Sequence, residues 1–221
     1  MRQEDHKTYI APDNYFIDFV AGNLNFSDHL VIETHVDLNA KARSIVDDLL
    51  LIGGSLMEDE DCSQAALNPS CLEGVLSKLD EQPDINTDHK KQSLKNCPKS
   101  LQPYLEDEIE NLPWKKLVNG VYQYELGVEC AHSKARLMMI EPGKGAPMHA
   151  HGGPELTLVL NGAFEDESDI YRQGDLAVIM DYHPHQPTAY GTDVCYCLAS
   201  NTHGIELTSW WGKLLNPFIK F

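Results

Sequence analysis

Histidines and an acidic residue lie close together in the second half of the sequence, at spacings that suit a metal site. His149 and His151 are two positions apart, so in an extended segment both imidazoles project from one face, and Glu155 follows soon after. Further along, His183 and His185 offer another imidazole from a neighbouring segment. Neutral imidazole with one carboxylate binds zinc, iron, manganese, nickel or copper. The pattern predicts a site for one divalent metal without choosing the metal.

The segments that must position these residues predict short β-strands. From Pro113 onward, apolar or alternating runs are separated by turn dipeptides such as Asn119-Gly120 and Asn161-Gly162. The expected strands cover residues 114–118, 121–126, 135–140, 156–160, 176–180, 194–198 and 205–208. Many short strands with turns between them are typical of an all-β sandwich or barrel.

The first 80 residues predict helices instead. A short helix is expected to be capped by Asp13 or Asn14 and to end at the Gly22-Asn23 pair. Asn68 followed by Pro69 is a helix-start signature and predicts another short helix.

Between these two, apolar residues recur at helical steps. They predict one long amphipathic helix over residues 28–57, capped by Ser27 and broken or bent at Gly53-Gly54.

From residue 81 to 103 the composition becomes polar, with prolines at positions 83, 98 and 103 and no apolar period, which predicts a linker. The chain is therefore expected to be an α+β protein of two domains. A small N-terminal helical domain covers residues 1–80, and a β domain covers residues 104–221.

Composition restricts the partners and the compartment. The 221 residues are 42% hydrophobic, enough for a core, and 34 acidic against 17 basic residues give a net charge of −17. Such a chain repels phosphate backbones and anionic membranes, so we expect no direct nucleic-acid binding and no membrane association. No signal peptide or membrane-spanning run is recognised, and the 6 cysteines contain no CxxC pair, which favours the cytoplasm.

The segment from Gly143 to Gly162 resembles the first cupin motif. That motif is a glycine, five residues, His-x-His, three residues, a glutamate, six residues and a glycine, and the sequence matches it at every spacing. The resemblance implies that His149, His151 and Glu155 are metal ligands in a cupin, which is a double-stranded β-helix barrel.

The second cupin motif places its histidine eleven residues after an opening glycine. Counted from Gly174, this spacing implies that His185 is the fourth ligand and His183 a bystander. Met180 and Tyr182 replace the usual proline and glycine of that motif, so the shape of this loop is expected to differ.

Longer segments in both halves resemble one family, the ChrR-type anti-sigma factors. In the β half these are residues 155–175, 185–189, 195–199 and 214–218, and in the helical half residues 19–24, 34–38 and 53–58. The resemblance implies that the helical domain binds an extracytoplasmic-function (ECF) sigma factor and keeps it from core RNA polymerase. It also implies that the cupin is needed to respond to an oxidative signal.

One departure from that family concerns a zinc site. The family's helical domain holds zinc through a histidine near the first helix and a His-xxx-Cys-xx-Cys run in the second. His35 is kept here, but Asn39 and Ala42 occupy the cysteine positions and Ile10 the first histidine position. One ligand of four cannot hold a structural zinc, so we expect no zinc in the N-terminal domain.

Two functions follow from these observations. The first is a ChrR-like anti-sigma factor with a metal-binding cupin as stress sensor, in which zinc is the first choice of metal and iron, manganese or nickel the alternatives. The second is a cupin metalloenzyme, dioxygenase-like or hydrolase-like, with a vestigial helical domain. We expect the protein not to be an enzyme, and no catalytic residue is assigned. Cys195 and Cys197 share one strand face and are expected to be buried hydrophobes, with a redox pair as the alternative.

Overall fold

The computed structural model describes residues 7–59, 69–80, 97–130, 133–180, 182–201 and 205–207. In these residues helices come first and an antiparallel β fold follows, as the sequence predicts. The helices are α1 (Asp13–Val20), α2 (Phe26–Leu38), α3 (Ala40–Asp59) and α4 (Pro69–Asp80). The strands are β1 (Lys115–Val118), β2 (Val121–Cys130), β3 (Ser133–Ile140), β4 (His149–His151), β5 (Glu155–Asn161), β6 (Ala163–Glu165), β7 (Ile170–Arg172), β8 (Leu176–Ile179), β9 (Thr188–Ala189), β10 (Cys195–Asn201) and β11 (Ile205–Leu207).

The long helix expected over residues 28–57 is in fact two helices, because the chain leaves the helical conformation at Asn39. This residue has φ −120° and ψ 113°, and its Oδ1 accepts hydrogen bonds from the N–H groups of Lys41 at 3.0 Å and Ala42 at 3.1 Å. Asn39 therefore caps the start of α3. Of the break or bend expected at Gly53-Gly54, the break is wrong, since α3 continues through both glycines, and the bend stays a prediction.

The start of α2 also differs from the expectation. Asn25, and not Ser27, is the N-cap, because its Oδ1 accepts a hydrogen bond from the N–H of Asp28 at 3.1 Å. Ser27 lies buried in the first turn of the helix.

The strands form one large sheet and two small ones. The large sheet has the order β1-β2-β3-β10-β5-β8, and the small sheets have the orders β7-β6-β9 and β11-β4. Four of these strands, β4, β6, β7 and β9, are missing from the sequence expectation. Each is only two or three residues long, too short to show a period of two.

The central strands of the large sheet are buried on both faces. On β5, Glu155, Thr157 and Val159 face the barrel interior, whereas the alternate residues Leu156 and Leu158 belong to a hydrophobic core shared with the helices. Helix α2 packs on this outer face and contacts β3, β5 and β10. Helix α2 has buried residues on all sides, because α1 and α3 cover the side that faces away from the sheet. The helices and the sheet thus stabilise each other through one continuous core.

Polar contacts join the same two layers. The hydroxyl of Ser200 on β10 donates a hydrogen bond to the carboxylate of Asp28 on α2. Nearer the N-terminus, Tyr9 donates from its backbone N–H to Asp175 Oδ1 at 3.0 Å, and its carbonyl accepts from the N–H of Leu176 at 3.0 Å.

Only the last part of the expected linker, residues 81–103, belongs to the described residues. Residues 81–96 lie outside the described residues, as does the closing segment 208–221. Residues 97–103 pack on α2, since Leu101 is fully buried and the N–H of Ser100 donates to Asp37 Oδ2 at 2.9 Å. None of the helices in the described part of the chain is long and apolar enough to cross a bilayer.

Candidate metal centre and adjoining cavity

Three backbone segments bring the four candidate ligands together. His149 and His151 lie on β4, Glu155 begins β5, and His185 lies in the loop between β8 and β9. His149 and His185 face each other across an antiparallel bridge, with N–H to carbonyl hydrogen bonds of 3.1 Å and 2.9 Å. His183, the other histidine that the residue pattern left open, is exposed. Of the two, the structure brings His185 into the cluster.

The ligand atoms of these four residues all lie within 4.8 Å of one another. Glu155 Oε2 is 2.8 Å from His151 Nε2 and 3.3 Å from His185 Nε2, and the two Nε2 atoms are 3.4 Å apart. His149 places its Nδ1 2.7 Å from the carbonyl oxygen of Pro147, which leaves Nε2 for a ligand. The hydrogen bond at Nδ1 fixes the orientation of the His149 ring, as is usual for histidines that bind metals.

Burial controls the charges in this cluster. Desolvation lowers the pKa of His149 to about 4, with His185 adding to the effect and Glu155 opposing it. Desolvation would raise the pKa of Glu155, but hydrogen bonds from His151 and His185 outweigh it and hold that pKa well below its ordinary value. A carboxylate and a neutral imidazole are the forms that bind metal ions.

The geometry fits a divalent metal. Ligands that each lie about 2.0 to 2.2 Å from a metal are about 3 to 4.4 Å apart, close to the separations seen here. The Nε2 atoms of His151 and His185 and Oε2 of Glu155 converge on one buried point, with separations of 2.8 to 3.4 Å. Such buried polar atoms are costly unless a bound group satisfies them. The four residues could therefore hold a metal.

A cavity of about 390 Å³ adjoins the cluster inside the barrel. His149, Glu155 and His185 form part of its wall, and most of the remaining lining is apolar, including Met138, Phe164, Ala177, Ile179 and Cys197. This volume lies within the roughly 300 to 1,000 Å³ that is usual for small-molecule sites.

Arg136 is a charged residue of this wall that the sequence reasoning missed. It lies on β3, is only 7% exposed, and donates a hydrogen bond to Asn201 Oδ1 at 2.7 Å. Desolvation lowers the pKa of Arg136, and the carboxylates of Glu155 and Glu125 oppose that shift. The sequence does contain a signal for a buried charge here, because Arg136 is the single charged residue in the otherwise apolar strand run 135–140.

Comparison with known proteins shows relatives along most of the chain. The family profile of the ChrR cupin-like domain matches residues 107–204. The anti-sigma-E factor ChrR of Cereibacter sphaeroides is 34% identical over 202 residues, which are 91% of this chain and 93% of that protein.

This chain belongs to the ChrR family of anti-sigma factors. The solved complex of Rhodobacter sphaeroides SigE with the anti-sigma factor ChrR is also similar, with a TM-score of 0.75 and 33% sequence identity. The likeness covers 88% of this chain and 98% of that chain. It extends across both the helices and the barrel, so the expected order of a helical segment and a cupin is confirmed.

In the ChrR-like helical segment, the four positions where the resemblance implies zinc ligands make other contacts. Asn39 donates from Nδ2 to the carbonyl oxygen of Gly174 at 3.1 Å, and Ala42 and Ile10 pack in the shared core. His35 is fully buried and accepts a hydrogen bond at Nε2 from the N–H of Ala11 at 3.4 Å. Desolvation lowers the pKa of His35 to about 4, although Gly174 and Asp175 oppose the shift, so the ring is neutral at pH 7.

The loop that departs from the cupin motif has a left-handed residue. Tyr182, which stands where the motif has glycine, has φ +55° and donates its N–H to the carbonyl of His151 at 2.8 Å. The loop thus keeps a glycine-like conformation without the glycine, at a cost in backbone strain.

Two cysteines lie inside the ChrR-like barrel, as expected from their alternation. Cys195 and Cys197 are buried, with sulfur atoms 3.5 Å apart. The hydrogen bond with Cys195, together with burial, raises the pKa of Cys197 well above its ordinary value. Both are thiols in the structure.

Proposed function

We propose that this chain is a ChrR-like anti-sigma factor that binds an ECF sigma factor in the cytoplasm and carries a metal-binding sensor in its cupin. The observation that carries this proposal is the likeness to ChrR in both segments, at 34% identity over 91% of the chain. A cupin metalloenzyme with a vestigial helical domain is the weaker candidate, because the likeness to the SigE–ChrR complex extends through the helices.

The proposed contact residues for the sigma factor are exposed apolar side chains on α3 and α4. Leu51 on α3 is 71% exposed, and further exposed apolar residues on these two helices are Leu50, Ile52, Leu56, Met57, Leu72, Val75 and Leu76. Exposed apolar side chains in such number mark protein–protein interaction sites. We therefore assign sigma binding to the exposed apolar residues of the C-terminal half of α3 and of α4.

The cupin metal is held by His149, His151, Glu155 and His185 in this proposal, with zinc as the first choice. Three imidazoles and one carboxylate suit zinc, and iron, manganese and nickel are the alternatives. The bound ion would supply a Lewis-acidic centre. This chain's own contribution is to hold β4, β5 and the loop that carries His185 together in a buried site.

The large sheet gives the metal site a direct mechanical connection to the helices. On β5, Glu155 and Thr157 line the cavity. The alternate residues Leu156 and Leu158 point to the other face and pack in the core shared with α2. A change at the ligands that shifts β5 must therefore disturb the packing of α2. In thermodynamic terms, the site and the sigma surface are linked if the two states of the site bind sigma with different affinity.

In vitro transcription tests the proposal. Core RNA polymerase with an ECF sigma factor from the same source is assayed on a sigma-dependent promoter, with increasing amounts of the purified full-length protein. We expect inhibition near one equivalent. The Leu51→Glu variant should inhibit at least tenfold less well, because a charge is placed in the apolar surface.

The matched control is Met180→Glu, which introduces the same charge at an apolar residue that is 65% exposed on the barrel. It should inhibit as the wild type does. Transcription unaffected by the folded wild-type protein would contradict the proposed function, and equal inhibition by both variants would contradict the assigned surface.

A further inference from the structure

The cavity beside the metal cluster has one polar end and an otherwise apolar wall. Its polar groups are the cluster residues together with Arg136 and Thr157. The remaining lining is built from side chains such as Val121, Met138, Ile140, Phe164, Ala177 and Ile179. A wall of this kind favours an elongated apolar molecule with a single polar head.

The sheet register fixes the position of Arg136 in this cavity. Arg136 pairs with Ala199, and Ala199 pairs with Thr157, so the three residues form one row across β3, β10 and β5. All three line the cavity. Since Ala199 is small, the guanidinium and the threonine hydroxyl flank an open position between them.

Charge balance indicates the head group. The guanidinium of Arg136 is buried and stays protonated, and the carboxylate of Glu155 attracts it electrostatically. A divalent ion bound by Glu155 and three neutral imidazoles would leave a net charge of about +2 once Arg136 is counted, or about +1 with the exposed Glu125 that pairs with Arg136 across the sheet. An uncompensated positive charge in an apolar cavity is costly, so this end of the cavity favours an anion. The planar fork of a guanidinium matches a carboxylate with two parallel hydrogen bonds.

We propose that the cupin cavity binds a small apolar carboxylate, with the carboxylate on Arg136 and the hydrocarbon chain along the apolar wall. A volume of about 390 Å³ accommodates about a dozen non-hydrogen atoms, at roughly 30 Å³ each. This is the size of a straight-chain acid with eight to ten carbons. The inference concerns the barrel alone and does not rest on sigma binding.

Isothermal titration of the metal-loaded, full-length protein tests this inference. The ligands are octanoate, butyrate and octan-1-ol, added in separate titrations. Octanoate should bind, and butyrate should bind at least a hundredfold more weakly, because each buried methylene contributes about fourfold in affinity. Octan-1-ol should bind at least tenfold more weakly than octanoate, since it has the chain but not the charge.

The variant Arg136→Met removes the guanidinium with a side chain of similar length. It should weaken octanoate binding by about 10- to 100-fold and leave octan-1-ol binding nearly unchanged. Arg172→Met is the matched control, because Arg172 is exposed on β7 and lies outside the cavity lining. It should bind octanoate as the wild type does.

The inference fails if octanoate gives no binding heat at millimolar concentration, or if octan-1-ol binds as tightly as octanoate. Equal affinity for butyrate and octanoate would also overturn it, because this would indicate a simple anion on the metal rather than a chain in the cavity. These comparisons use the wild-type protein and remain decisive even if Arg136→Met does not fold.

Discussion

Asn39 Nδ2 donates a 3.1 Å hydrogen bond to the carbonyl oxygen of Gly174, 135 residues away in the chain. The same side chain caps α3 through its Oδ1, so one amide both starts a helix and fixes the helical layer to the barrel. The contact shows how this chain joins the α2–α3 corner to the rest of the fold with a hydrogen bond.

The first prediction separates the two roles of Asn39. Replacing it with alanine removes the cap and leaves the buried carbonyl of Gly174 without this donor, which should lower the free energy of unfolding by about 2 to 4 kcal/mol. Asn39→Ser keeps a capping oxygen but cannot reach Gly174, and should cost about 1 to 2 kcal/mol. Urea denaturation measures both. Equal losses in the two variants would show that the cap contributes nothing and that the contact with Gly174 alone matters.

The second prediction concerns pH. Because burial lowers the pKa of His35 from 6.5 to about 4, the unfolded state binds more protons than the folded state between these values. Stability should therefore fall as the pH falls through this window, and His35 should account for about 2 kcal/mol of the loss between pH 7 and pH 5.

The variant His35→Met should lose that part of the pH dependence, when denaturation curves at pH 7 and pH 5 are compared with those of the wild type. His29→Met, on the same helix at a half-buried position, is the control and should keep it. A His35→Met slope equal to that of the wild type would argue against the neutral buried imidazole.

The third prediction uses the left-handed conformation of Tyr182. Tyr182→Gly should raise the free energy of unfolding by about 0.5 to 1 kcal/mol, because glycine adopts φ +55° without strain and this gain exceeds its entropic cost. Tyr182→Ala removes the exposed ring and keeps the strain, so it should not stabilise. Thermal unfolding of both variants distinguishes relief of strain from loss of the ring, and a stabilised alanine variant would contradict the explanation.

The fourth prediction assigns the metal ligands. The purified protein should contain about one divalent metal per chain, and His149→Ala or His185→Ala should each remove it, because the remaining three ligands no longer close the site. His183→Ala is the matched control, since His183 is exposed two residues from His185, and it should keep the metal. Plasma mass spectrometry measures the content. Metal retained by both ligand variants would place it elsewhere.

Much of the candidate site could be predicted from the sequence, because its residues are close together along the chain. The spacing of His149, His151 and Glu155 needs only the alternation of an extended segment. Arg136 could not be found in the same way. It comes into the cavity through the pairing of β3 with β10, and no local pattern contains that pairing.

The helices show a similar division. The existence of α1 and α4 follows from local signals, and α4 begins at Pro69 as expected. The expected cap of α1 at Asp13 or Asn14 is wrong, because the N-cap is Pro12 and no side chain caps this helix. The break at Asn39 combines a local cap on Lys41 and Ala42 with a tertiary hydrogen bond to Gly174, whereas apolar periodicity alone continues smoothly across that residue. The docking of α2 on the sheet likewise depends on contacts distant in sequence.

Native mass spectrometry of the full-length protein, co-expressed with an ECF sigma factor from the same source, tests the central claim that one chain joins a sigma-binding helical layer to a metal-holding cupin. The account predicts a complex of one copy of each chain with one metal ion, and the same complex without the metal for His185→Ala. A folded, metal-loaded protein that carries no sigma factor would contradict the account, as would a sigma complex in which His185→Ala keeps its metal.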